Sequence, residues 1–216
     1  MRVSRKQATI VDPEGRGARA RTMRLMLETA IGLMQDGKSP SVSDVAEAAG
    51  VSRATSYRYF PSQAALVDAV VDAALGPILD WRPQSTDVDE RVANLMEVSL
   101  RRIGEFEATF RAALKLSLDQ WAKRKAGTLG TEAPFNRGHR VGLLQNVVAP
   151  LREIASEQDL DRLAKGLSLI FGIEAFVVLK DIWKMEQDDV EQIINWIAQA
   201  LISAVVSKKE TIGREH

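Results

Sequence analysis

The sequence contains no cysteine, which rules out disulfides, thiolate nucleophiles and cysteine-held metal sites. Histidine is almost as scarce. His139 and His216 are the only two, and no group of His, Asp and Glu has the spacing of a metal site, so no metal or other cofactor is expected. A glycine-rich phosphate loop is also missing, and without these devices the chain is not expected to be an enzyme. No stretch alternates apolar and polar residues between turn signals, so strands are not expected. No apolar run reads as long enough to cross a bilayer, and the start "MRVSRKQATIVDPEGRGAR" is basic without the apolar core of an export signal. The expectation is a cytoplasmic chain with no membrane partner, in a reducing compartment.

What is present is ordinary in bulk and uneven in placement. Of 216 residues, 45% are hydrophobic and 27% charged, the composition of a globular protein with a sizeable core. Bases and acids balance at 29 each. The first sixty residues nevertheless carry ten bases against six acids, leaving nineteen against twenty-three for the rest. A basic head joined to a mildly acidic body would let a polyanion dock at one end only.

The periodicity is helical almost throughout and predicts an all-α fold. A first helix is expected over Arg19 to Asp36, with Met23, Met26, Leu27, Ala30 and Met34 on one face. Ser41 and Asp44 form a capping-box pattern that opens a second helix, which Gly50 closes. Ser52 caps a third helix, Arg53 to Tyr59, and a fourth is expected from Gln63 to Leu79. Gly76 to Asp87 reads as a linker. Two long helices then follow, broken near Gly104 to Ala108, and after the loop "AGTLGTEAPF" comes a helix from Asn136 to Ser156. Helices over Gln158 to Met185 and Asp188 to Ser207 complete the chain. The organisation expected is a flexible basic arm over residues 1–18, a DNA-binding domain over 19–62 and a helical regulatory and dimerisation domain over 63–216.

Two short helices around a tight Gly turn make a helix-turn-helix. Its second helix presents Arg53, Ala54, Thr55, Arg58 and Tyr59 from turns that can enter a major groove. Arginine can read guanine bidentately, Thr and Ala can touch a thymine methyl, and hydroxyls can hold phosphates. A bare helical corner has no need of such a cluster, so double-stranded DNA is the expected partner. Arg19, Arg21 and Arg24 on the first helix are expected at phosphates.

"SVSDVAEAAGVSRATSYRYFPSQAAL" resembles the N-terminal domain of TetR-family transcriptional regulators, and the resemblance covers about residues 19 to 70. It implies that Ser41, Ser52, Tyr57 and Tyr59 contact phosphates, with Ser43 in the same interface, and that Arg53, Thr55 and Arg58 read bases. Ser56 departs from the pattern, standing where Leu or Ile is usual between the motif helices. Gln63 departs as well, standing where a Lys commonly meets the backbone.

In the body, "LSLIFGIEAFVVL" is apolar nearly all round, so both faces of that helix need cover. The last helix offers a stripe of Val190, Ile193, Ile194, Ile197, Leu201 and Val205. A two-fold four-helix interface including Phe176, Trp183, Ile193, Ile197 and Leu201 would supply the cover, as the resemblance also implies. Met96, Phe110, Trp121, His139, Leu143, Phe171 and Glu174 are the residues available for a pocket, although most also suit an ordinary core. A carboxylate such as Glu174 on an apolar helix needs a partner, for which Arg111, a ligand or a second subunit is available. The function expected is that of a homodimeric repressor on a palindromic operator, released by an unidentified small molecule. The alternatives are an activator or architectural DNA-binding protein without a ligand and, further off, a helical enzyme.

Overall fold

The computed structural model describes residues 17–131, 133–135 and 138–212, with side chains as far as Ser207. Every regular element among these residues is helical. Most of the arm expected over residues 1–18 lies outside the described residues.

The chain divides into two compact units, residues 1–77 with 105–136 and residues 78–104 with 137–216. The first unit therefore extends past the boundary expected at residue 62 and takes in a later segment of chain. It contains α1 (Ala18–Gln35), α2 (Val42–Ala48), α3 (Arg53–Tyr59), α4 (Gln63–Leu75) and α6 (Glu107–Lys125). Met26, Leu27, Ala30, Ile31 and Met34 bury one stripe of α1, as the 3.6-residue period demands. On α4 the buried stripe is Ala64, Leu66, Val67, Val70, Val71 and Ala74. α6 packs on both α1 and α4. The loop that follows is fastened by one buried side chain. Gln120 Nε2 donates to the Ala133 carbonyl at 3.1 Å, and its Oε1 accepts from the Phe135 N–H at 2.8 Å.

The second unit holds α5 (Val88–Glu105), α7 (His139–Val147), α8 (Glu157–Ile170), α9 (Ile173–Phe176) and α10 (Gln187–Ile212). The stretch expected as a linker is partly core: Ile78 and Trp81 are buried, and the Trp81 indole donates to Asn94 Oδ1 at 2.9 Å. α7 is shorter than expected and passes into a 3₁₀ turn over Ala149–Glu153, where Pro150 cannot continue the α-helical bonding. α10 packs on α8 through buried Val190, Ile194, Ala198 and Ile202. Contrary to the sequence expectation, Gln187–Ser207 is long and apolar enough to span a bilayer by length and composition. Only 22% of that window is buried.

The expected helix over Gln158 to Met185 is broken. Gly172 adopts φ +141 and ψ −175, a conformation open essentially to glycine alone. α9 then widens into a π-helix over Val177–Ile182, and Lys184 is left-handed at φ 59. A polar splint spans the break. Arg140 Nη1 donates to the Ser168 carbonyl at 3.0 Å, and Nη2 donates to both Glu174 oxygens at 3.0 and 2.9 Å. Glu174 is thus paired with Arg140, and Arg111 binds Glu107 one helical turn away at 2.8 Å.

A Cβ at position 172 would lie 2.8 Å from both Arg140 Nη2 and Glu174 Oε2. Gly172→Ala is therefore expected to lower stability by about 1–3 kcal/mol through backbone strain alone, with some further loss from displacing the ion pair. Urea denaturation reads this directly, and a variant with the wild-type midpoint would show that the break is not built as described.

Candidate nucleic-acid interface

The helix-turn-helix is assembled by local bonds that its own sequence supplies. The Ser41 N–H donates to Asp44 Oδ2 at 2.8 Å, and the Asp44 N–H donates to Ser41 Oγ at 3.2 Å. This reciprocal capping box satisfies two donors that would otherwise be orphaned at the start of α2. Gly50, at φ +65, makes the turn, and the Val51 N–H closes it on the Ala46 carbonyl at 2.8 Å. Ser52 caps α3 by accepting from the Thr55 N–H at 3.3 Å, while its own hydroxyl donates to Thr55 Oγ1 at 2.9 Å.

α3 then has an inner and an outer face. Ser56 is fully buried and Phe60, just past the helix end, is 2% exposed. The Ser56 hydroxyl donates to the Arg53 carbonyl at 2.8 Å, so the polar group in place of Leu or Ile is satisfied within the helix, although it fills less volume. Arg53, Ala54, Tyr57 and Arg58 are exposed, and Thr55 and Tyr59 are half-exposed. The outer face therefore brings together Arg53, Thr55, Tyr57 and Arg58, as the pattern predicts. Ser41 and Ser43 on α2 are half-exposed beside it, and Ser43 Oγ lies 3.3 Å from the Tyr57 hydroxyl, which links the two helices. Arg21 is exposed on the first turns of α1.

Several side chains have structural duties the sequence did not reveal. The Gln63 amide donates to the Pro40 carbonyl at 3.3 Å, tying the start of α4 to the loop ahead of α2. The Tyr59 hydroxyl donates to the Arg19 carbonyl at 3.2 Å, forty residues away. No local spacing signals either bond.

Residues expected in the body fare unevenly. In the second unit Met96 and Phe171 are buried, while His139 and Leu143 are half-buried at the start and middle of α7. In the first unit Phe110 is buried, but Trp121 is 58% exposed. Two open clefts carry none of the expected lining: one of about 470 Å³ beside Lys38, Pro40 and Glu47, and one of about 270 Å³ beside Arg152, Glu157 and Asp161. Phe176, expected at a subunit interface, is fully buried within the protomer; Trp183 is 71% exposed, and Ile193, Ile197 and Leu201 are half-exposed. Arg140 is the partner of Glu174 that sequence reasoning missed, because the two meet only through the tertiary fold.

The Asp44 carboxyl is held below the usual carboxylate range, first by the Ser41 N–H and then by the Ser41 hydroxyl; loss of hydration opposes them and the Arg53 charge adds to them. A carboxyl depressed on folding stabilises the fold at any pH above its ordinary value and loses that contribution as the pH falls through the depressed one. Asp44→Asn keeps an acceptor but not the charge. It is expected to melt below wild type at neutral pH and to converge with it in strong acid. Parallel melting curves at every pH would remove the capping box from the account.

The sequence profile of bacterial regulatory proteins of the tetR family matches residues 27–70, which run from α1 through the helix-turn-helix into α4. The HTH-type transcriptional repressor LfrR of Mycolicibacterium smegmatis is 34% identical over 88 residues, covering 39% of this chain and 47% of the relative. The match thus spans about half the length of that relative. In fold, the chain is similar to a TetR transcriptional regulator from Rhodococcus sp. RHA1, with a TM-score of 0.51 and 23% identity over 86% of this chain and 97% of that one. It is also similar to a protein described as a TetR-family regulator from Mesorhizobium loti, with a TM-score of 0.54 and 16% identity over 88% and 98%. The family and these relatives are regulators of transcription, not enzymes. The capped, outward-facing α3 lies inside the segment that matches the tetR family of bacterial regulatory proteins.

Proposed function

We propose that the chain is a homodimeric transcriptional repressor that binds a palindromic operator through α3 and is released by a small molecule held in the second unit. The observation that carries the DNA-binding part is the division of α3 into a buried face, Ser56 with Phe60, and an exposed face of Arg53, Ala54, Tyr57 and Arg58. An exposed cluster of arginine and hydroxyl groups, on a helix whose other face is fixed, suits a groove lined by acceptors and phosphates. The name of the Mycolicibacterium relative favours repression over activation.

Two-fold DNA sites call for two recognition helices about 34–36 Å apart, or a multiple of that. A pair of subunits joined through their second units would set the spacing. In support, Leu169 on α8 is 78% exposed and Trp196 on α10 is 67% exposed, while Ile193 and Ile197 flank the buried stripe of α10. If an effector binds better when the α3 helices are splayed, linkage makes it weaken DNA binding by the same factor that DNA weakens effector binding. Glu174 with its Arg140 partner, His139 and Phe171 lie in the second unit, where such an effector would act.

Sequencing the DNA retained by the purified protein would define the operator for two further measurements. Thr55→Ala and Arg53→Ala are expected to lose about 1–3 kcal/mol at particular base pairs and to relax preference there. Arg21→Ala is expected to weaken operator and scrambled DNA alike and to lower the salt slope by about one unit. Equal loss on both DNAs for all three variants would take base reading away from α3. Separately, Ile197→Asp places a charge beside the apolar stripe and is expected to give monomers or insoluble protein. A variant that sediments as a dimer and binds DNA normally would remove α10 from the proposed interface.

A further inference from the structure

We propose that Tyr59 is a positioning residue that holds Arg19 and Arg58 for the DNA backbone, and that its own hydroxyl is not a phosphate contact. The inference rests on the DNA-binding reading above and corrects the role that family resemblance implies for this tyrosine.

Three features of the geometry converge on the Tyr59 ring. Its hydroxyl donates to the Arg19 carbonyl at 3.2 Å. A phenol has one proton to donate and a phosphate oxygen can only accept, so the bond to Arg19 and a donated bond to phosphate exclude one another. The Arg19 guanidinium lies over the ring at 5.8 Å from the centroid, and the Arg58 guanidinium at 5.9 Å. Both fall within reach of a cation–π attraction. Arg19 is therefore held twice by Tyr59, through its backbone and through its side chain.

Gathering two like charges on one ring is unfavourable unless something answers them. Among the described residues neither guanidinium forms an ion pair with a carboxylate. The ring quadrupole offsets part of their repulsion, and a phosphate would offset the rest. Arg58 sits in the last turn of α3, whereas base edges are met by side chains from the start of a recognition helix. This moves Arg58 from base reading to backbone holding, together with Arg19 at the start of α1. Tyr57 behaves differently: it is 45% exposed and its hydroxyl stands beside Ser43 on the outer face. Of the two tyrosines, Tyr57 is the one placed to reach a phosphate.

The test is a pair of double-mutant cycles read by binding to a labelled mixed-sequence DNA duplex over a range of salt concentrations. Arg19→Ala and Arg58→Ala are each expected to weaken binding and to lower the salt slope by about one unit. Tyr59→Leu removes no charge, yet is expected to weaken binding about fivefold by releasing both arginines. In the Tyr59→Leu background each arginine substitution should then cost clearly less than it does alone, because the interaction it removes is already impaired. Tyr59→Phe keeps the ring and should retain most of the affinity. Additive cycles, or a Tyr59→Phe as damaging as Tyr59→Leu, would overturn the proposal in favour of a direct hydroxyl contact or no role. If Tyr59→Leu fails to fold by circular dichroism, Tyr59→Phe alone decides: affinity near wild type supports the proposal, and a loss as large as that of Arg19→Ala overturns it in favour of a direct hydroxyl contact. Wild-type protein that binds no duplex at any salt would sink the DNA-binding reading itself, whereas binding with additive cycles sinks this inference alone.

Discussion

A helix of seven residues such as α3 cannot hold itself together in water, because the cost of nucleating a helix exceeds what two turns of backbone bonding return. Everything around α3 answers that constraint. Ser52 satisfies the free Thr55 N–H in its first turn, the Gly50 turn sets its direction, and the Val51 N–H bond to Ala46 fastens the turn to α2. α2 is itself only seven residues long and depends on its reciprocal capping box. At the far end Phe60 is sealed in the core, and the Tyr59 hydroxyl ties the helix to the start of α1. The outer face of α3 can be given over to arginines and hydroxyls because none of these anchors uses it.

The same economy explains why a list of polar residues is a poor list of contacts. Ser52, Ser56, Tyr59 and Gln63 all look available for DNA in one dimension, yet each directs a polar atom inward or along its own helix. The Ser56 hydroxyl bonds to the Arg53 carbonyl, which satisfies a buried polar atom but leaves less apolar contact between α2 and α3 than a larger side chain would supply. What stays outward is a smaller set: Arg53, Tyr57 and Arg58, with Thr55 partly so.

In the second unit the dominant feature is an interruption. A helix that is apolar all round would need cover on both sides over its whole length. Gly172 and the π-helical turn reorient the chain so that Ile173, Ala175 and Phe176 are buried while Leu169, Ile182 and Trp183 stay exposed. Arg140 makes the break tenable by accepting the role of cap: it bonds to the Ser168 carbonyl at the end of α8 and to Glu174 at the start of α9. Helical irregularities of this kind recur at functional sites.

Sequence determined the features that depend on near neighbours. Helical periodicity, the Ser41–Asp44 box, the Ser52 cap and the Gly50 turn are interactions between residues a few positions apart, and each appears where the pattern puts it. The break between α5 and α6 at Phe106 is of the same kind. Tertiary structure decided the pairings that cross the chain. Arg140 meets Glu174 across 34 residues, Tyr59 meets Arg19 across 40, and α6 joins the first unit although α5, just before it, belongs to the second. Periodicity marks which face of a helix is buried but not which helix covers it. A polar side chain's partner likewise follows from where packing brings distant segments together, so no spacing rule along the chain could have named it.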